Sequence, residues 1–157
     1  MKKIALITLA IATVLNGFAQ TGVLEIATVK KIKTDERITS LKIYNNVEVI
    51  LTDDSMTAIQ VVGEKSDVEN TSVKMHNGHL VITGIPEQFK ERVIVCVPAR
   101  YLSKVIIHGS SSVRSAGLLE KDLLEVIING EGRSSIQLTG NLTLNTSGDF
   151  PLDAAVK

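Results

Sequence analysis

The feature that most narrows the fold of this chain is a repeat in its second half. The segment LSKVIIHGSSSVRS (102–115) is echoed by LEVIINGEGRSSIQL (124–138), which places Val105-Ile106-Ile107-His108-Gly109 against Val126-Ile127-Ile128-Asn129-Gly130 at an offset of 21 residues. A third copy, LTLNTSGDFPL (142–152), sets Gly148 after Gly130 by 18 residues. Each unit is a short β-run, a polar corner with Gly, then a second short run. Periods near 20 with one tight corner per unit predict stacked parallel strands of a β-solenoid, with Val, Ile and Leu laddered inward. Gly, Ser and Asn suit the corners, because they accept backbone that bulkier residues avoid. A β-sandwich with hairpins of similar length would show the same strand spacing. The aligned glycines favour the solenoid.

The first half reads as β as well. Leu41 to Tyr44 alternates, Asn45-Asn46 interrupts, and Val47 to Leu51 resumes. Ala58 to Val62 and Val93 to Val97 form two further runs, closed by Gly63 and Pro98. Val29 to Ile32 is ambiguous. Val73-Lys74-Met75 and Leu80-Val81-Ile82 flank Asn77-Gly78. Asn-Gly between two β-runs predicts an antiparallel hairpin, since both residues tolerate positive φ. No window after residue 20 carries helical periodicity. Ala116 to Leu124 reads as a loop leading into a strand, because of Gly117.

Residues 1–19 have the form of a secretory signal: Lys2-Lys3, an apolar run from Ile4 to Leu15, and small Gly17 and Ala19 before the cut. The run falls short of the roughly 20 apolar residues that span a bilayer. It carries no Cys for a lipid anchor. Residues 20–35 form a lead-in segment and residues 36–157 one β domain. The whole chain has 17 Lys+Arg and 17 Asp+Glu, so loss of Lys2 and Lys3 leaves about −2, with His neutral. That balance argues against nucleic acid and against a polybasic membrane patch. The single cysteine, Cys96, lies in the apolar run RVIVCVPA, so no internal disulfide forms and the thiol is expected to be buried and inert.

Three segments together resemble the GIN domain family, the putative autotransporter adhesin head domain of exported Bacteroidetes-type proteins. They are SLKIYNNVEVILTDDSMTAIQVVGEK, VKMHNGHLVITG, and the corners VIIHGSSSV, VIINGEGRSSIQL and LNTSGDF. The resemblance covers about residues 36–152. It implies an all-β, right-handed parallel β-helix-like solenoid with an antiparallel hairpin in the N-terminal half, and an exported location. It implies no established chemistry. Asn45-Asn46 stand where the family more often has Gly, and the chain stops soon after the third corner, where relatives continue. An incomplete last coil would present an open edge for end-to-end self-association.

Candidate chemistry is sparse. His76 and His79 bracket the hairpin turn and His108 sits at a corner, without the three or four converging ligands a metal needs. Ser110 to Ser112, Ser134 and Ser135 lack a nucleophile elbow. Corner serines that bond their own backbone account for them. Stacking would bring Glu131 and Asp149 together, with Arg133 beside them and Arg114 one unit earlier. Glycan cleavage needs two convergent carboxylates, but charges after a corner are ordinarily a solvated face. The expectation is therefore no cofactor, no metal and no catalysis. In their place it puts an envelope or surface module for adhesion, binding or scaffolding, with a surface glycan or envelope protein as partner. The alternatives are a glycan lyase or hydrolase and an envelope signalling accessory. Asp54-Ser55-Met56 also matches a short O-glycosylation motif in a turn.

Overall fold

The computed structural model describes residues 27–53, 57–84 and 92–147. The signal segment, Ser55, Gly148 and Asp149 lie outside the described residues. Among the described residues twelve strands and one short helix run in the order β1 (Thr28–Lys33), β2 (Ser40–Tyr44), β3 (Val47–Thr52), β4 (Ala58–Gly63), α1 (Lys65–Asn70), β5 (Ser72–His76), β6 (His79–Thr83), β7 (Val93–Pro98), β8 (Lys104–His108), β9 (Ser112–Leu119), β10 (Leu123–Asn129), β11 (Arg133–Leu138) and β12 (Asn141–Ser147). They form two six-stranded mixed sheets, ordered β1-β4-β7-β3-β9-β11 and β12-β10-β8-β2-β6-β5.

The repeat becomes parallel pairing in its own register. Val105, Ile106, Ile107 and His108 face Val126, Ile127, Ile128 and Asn129, and Asn129 faces Ser147. Both offsets read from the sequence reappear as strand registers. The residues that alternate inward build the core. Ile82, Ile43 and Ile107 align on neighbouring strands of one sheet, and Val95, Val49 and Val113 on those of the other. All six are buried. Each such side chain removes apolar surface worth about 1.5–3 kcal/mol from water.

Two corners require glycine. Gly109 has φ +73 and Gly130 φ +121, and a Cβ on Gly130 would meet the Gly109 backbone at 3.1 Å. The corners therefore lie on one another, tied by Gly109 N–H donating to Asn129 O. Asn45 solves the same problem without glycine: it takes φ 66, and its Nδ2 donates to Gly84 O at 3.0 Å. A short polar side chain tolerates the left-handed region, so Asn45 does the work the resemblance assigns to Gly. The turn from β2 to β3 is thus one more corner of the same stack. Ser111 Oγ donates to Asn45 O.

Spatial order departs from chain order. Strand β8 lies between β10 and β2, not beside β7, and β3 lies between β7 and β9. The connection from β7 to β8 therefore crosses the β2–β3 unit, where Ala99 N–H bonds Thr52 O and Ser103 N–H bonds Thr39 O. At the far side both sheets turn antiparallel. There β1 pairs β4, β4 pairs β7, and β5 pairs β6. The Asn77-Gly78 hairpin forms as expected, with φ 49 and φ 77.

Three expectations need correction. Helix α1 exists, but its six residues bury only Val68 and Asp67, too little to leave a periodic signal. Ala116 to Leu119 is strand rather than loop. Between Ser135 and Gln137 the β9–β11 register shifts, a bulge on the strand that carries Gly117. Cys96 is half-buried on the outer side of β7, because the strand alternates and Val95 and Val97 take the inward positions.

Candidate binding surface

Outward positions on parallel strands fall into rows. On the β2 sheet one row runs Thr83, Tyr44, His108, Asn129, Ser147. Tyr44 and His108 stack at 4.5 Å between centroids with an interplanar angle of 1°. Ser147 Oγ donates to Asn129 Oδ1 at 2.9 Å. In a second row Lys104 Nζ meets Glu125 Oε2 at 3.0 Å, and Asn145, from the neighbouring row of Ile127, donates through Nδ2 to Glu125 Oε1 at 3.3 Å. Strand spacing of about 4.8 Å gives a five-strand row about 19 Å long.

The described members of the candidate cluster lie on the other sheet and at its corner. Glu131 is exposed in the β10–β11 corner and Arg133 is exposed at the first position of β11. Arg133 faces Ser112, which in turn faces Glu48. Arg114 donates to Glu48 Oε1 at 2.7 Å rather than turning to Glu131. Its neighbours across the strands are Ile50 and Ser135. Asp149 is outside the described residues, so its pairing with Glu131 has no geometry. His76 and His79 face each other across the hairpin, and His76 Nε2 lies 3.1 Å from Asn77 Nδ2. Among the described residues no group of three or more His, Cys, Asp or Glu could hold a metal ion.

Burial pushes the Cys96 thiol above its usual value, with the Arg114 charge opposing and Glu48 adding to the shift. A raised pKa lowers the thiolate fraction on which nucleophilic reactivity depends, even though the thiol is not in the core.

A different arrangement occupies the opposite edge, where β7 leads to β8 and β9 to β10. A cavity of about 320 Å³ opens there, lined by residues including Thr52, Arg100, Leu118 and Lys121. Lys121 Nζ donates to Ala99 O at 2.9 Å and Arg100 O at 3.0 Å, which fastens the β9–β10 turn to the β7–β8 connection. Beside it the Arg37 guanidinium lies 4.8 Å from the Tyr101 ring centroid and that of Arg100 5.5 Å. Neither this edge nor the Tyr44–His108 stack was singled out from sequence. Aligning LKIYNN with VIIHGS, so that Tyr44 and His108 both precede a corner, would have exposed the stack. Arg100-Tyr101 after Pro98 was the one visible hint of the other.

The sequence family described as "Putative auto-transporter adhesin, head GIN domain" matches residues 37–157. Among solved structures the chain is similar to a putative adhesin from Bacteroides fragilis, at 19% identity and TM-score 0.66, covering 78% of this chain and 59% of that one. It is similar to a putative adhesin from Parabacteroides merdae at 15% identity and TM-score 0.55, covering 75% and 55%. A putative lipid binding protein from Parabacteroides distasonis follows at 11% and 0.52, covering 76% and 59%. These likenesses show a common fold, and the chain spans under two thirds of each of those structures. No curated protein matches.

Proposed function

Because the chain belongs to the head GIN domain family of auto-transporter adhesins, we propose that it is an exported, non-catalytic adhesion module that binds through the broad outer faces of its sheets. The observation that carries this reading is the row from Thr83 to Ser147, in which Tyr44 and His108 are stacked and Asn129 is bonded to Ser147. Side chains held by their neighbours across parallel strands lose little freedom on contact with a partner, so a flat face can bind without folding around its ligand. The partner in this reading is a surface glycan or an envelope protein. The in-register parallel pairs support reading the strands as turns of a right-handed parallel β-solenoid. Export rests on the N-terminal signal pattern. Among the described residues no helix is long and apolar enough to cross a membrane.

The test compares a deletion strain with strains complemented by the wild type or by the Tyr44→Ser/His108→Ser double variant. Retention on glycan- and protein-coated surfaces is measured, with surface labelling to locate the protein. The reading expects retention from the wild type alone. Equal retention by the deletion strain, or turnover of a polysaccharide by the purified protein, overturns it. N-terminal sequencing of the native protein checks cleavage after Ala19.

A further inference from the structure

The two ends of the sheets are guarded differently. At one end the outer strands are β1 and β5. Strand β1 carries Lys30, Lys31 and Lys33, and β5 carries Lys74. Helix α1 packs against β1 and β4 there and buries Val68. At the other end the outer strands are β11 and β12. From residue 134 to residue 147 the chain has no charged residue and no proline. Lysine, proline or a covering element is how an outer strand ordinarily avoids pairing with another chain. Among the described residues the β11–β12 end has none of the three.

The core is also less covered at that end. Leu124 and Val126 on β10 are fully buried, whereas their partners on β12, Leu142 and Leu144, are only partly buried. In a parallel ladder one residue turns its N–H and C=O to one neighbour, and the next residue turns both the other way. Asn141 N–H donates to Asp122 O, so Leu142, Leu144 and Thr146 turn their backbone groups to the outer side. Arg133 N–H bonds Ser111 O and Gln137 N–H bonds Ser115 Oγ, so Ser134, Ile136 and Leu138 do the same on β11. Among the described residues no strand pairs with either outer side.

We propose that the β11–β12 end joins a second copy of this chain, end to end, in a closed two-fold dimer. This goes beyond the adhesion reading and does not depend on it. A single peptide strand would extend one sheet only, whereas this end offers one outer strand from each sheet over a shared core. A second copy presents the matching pair. About a two-fold axis through both sheets, β12 lies antiparallel to its own copy, with Leu144 opposite the partner's Leu144 and Leu142 opposite the partner's Thr146. All of these residues turn their backbone groups to the junction, so the pairs are of the hydrogen-bonded kind. The nearest charges, Glu131 and Arg133, sit at the corner end of β11. They fall toward the partner's uncharged β11–β12 turn, so no like charges meet across the strands. The same patch on both copies closes at two. Strand β12 spans about 23 Å and packed sheets lie about 10 Å apart. That footprint is small beside the roughly 800 Å² per partner of a standard interface, so association in the micromolar range is expected. The junction keeps each outer face continuous and sets two Tyr44–His108 rows on one plane, which favours a repeating partner through avidity.

The test is sedimentation equilibrium of the purified protein across concentration. A monomer–dimer equilibrium is expected, weakened about tenfold or more by Thr146→Pro, which removes an outward N–H and takes no bond from β10. The double variant Thr143→Lys/Asn145→Lys is expected to weaken it as well, because it sets like charges opposite one another across the junction. Lys31→Glu, at the guarded end, should change nothing. Thr143, Asn145 and Thr146 are exposed, and an unchanged melting temperature of the dilute protein confirms folding. Should Thr146→Pro unfold, the double lysine variant carries the measurement. A monomer at every concentration overturns the proposal. In that case hydrogen exchange at Leu142, Leu144 and Thr146 assigns the end: protection gives it to residues 148–157, and free exchange leaves it bare. A dimer that both variants leave intact, a dimer lost in Lys31→Glu, or open-ended growth into filaments also overturns it. The adhesion reading is judged separately by cell retention, which a monomeric result leaves standing.

Discussion

The stack of β2, β8 and β10 and the antiparallel flank of β5 and β6 belong to the same sheet, but they are held by different means. In the stack each inward residue lies on its equivalent in the next strand, as Ile43, Ile107 and Ile128 do. A loss at one level is felt by the levels on both sides. In the flank β5 has a single neighbour, and its inward Val73 and Met75 are only partly buried. Register there is set by a local turn at Asn77-Gly78, not by repetition. Repetition gives depth of burial, and the turn closes an edge cheaply.

The sharpest way to break that contrast is Ile107→Ala. The site is fully buried between two neighbours, so a stability loss of about 2–5 kcal/mol is expected by denaturant unfolding, against about 1 kcal/mol for Val73→Ala at the flank. Equal losses would mean that the stack has no special depth. Next comes Gly130→Ala, which combines a positive φ with a close approach to Gly109 and is expected to cost about 1–3 kcal/mol. Gly117→Ala meets nothing within 4 Å and should change stability by about 0.5 kcal/mol or less. Hydrogen exchange sharpens the comparison without substitution. Amides of β5 should exchange before those of β8 and β10, because an edge strand opens at lower free energy.

The smallest effect concerns Cys96. Its raised pKa means that the folded protein prefers the neutral thiol. The associated stability is complete below the ordinary thiol value and is lost as pH rises through the raised one. Cys96→Ser should therefore flatten the alkaline limb of a stability–pH profile and leave the neutral region almost unchanged. An identical alkaline slope in the variant would assign that limb to other groups.

Legibility in the sequence followed the same division. The units beginning at Val105 and Val126 were readable because inward positions and corner glycines recur together. The hairpin was readable from Asn77-Gly78 alone. The β2–β3 unit was seen as two strands but not as a member of the stack, since Asn45 disguises the corner. Helix α1 was too short for periodicity to register. The surface was least legible. Arg114 finds its partner Glu48 across 66 residues, and neither β9 nor β3 announces the other as a neighbour. Side-chain company depends on the order of strands in a sheet, and the repeat reveals register without revealing order.

That order also constrains how the protein is made. Strands β2 and β3 are synthesised early, yet their partners on both sides are later strands: β6 and β8 for one, β7 and β9 for the other. The central level cannot close until residues beyond Ser112 have emerged. A chain with contacts this distant folds slowly, and these two strands wait with both edges bare. If it crosses a membrane during synthesis, it completes its centre late, so a translocation-competent state is a direct product of its topology and any holding chaperone would meet β2 and β3 with their edges still unpaired.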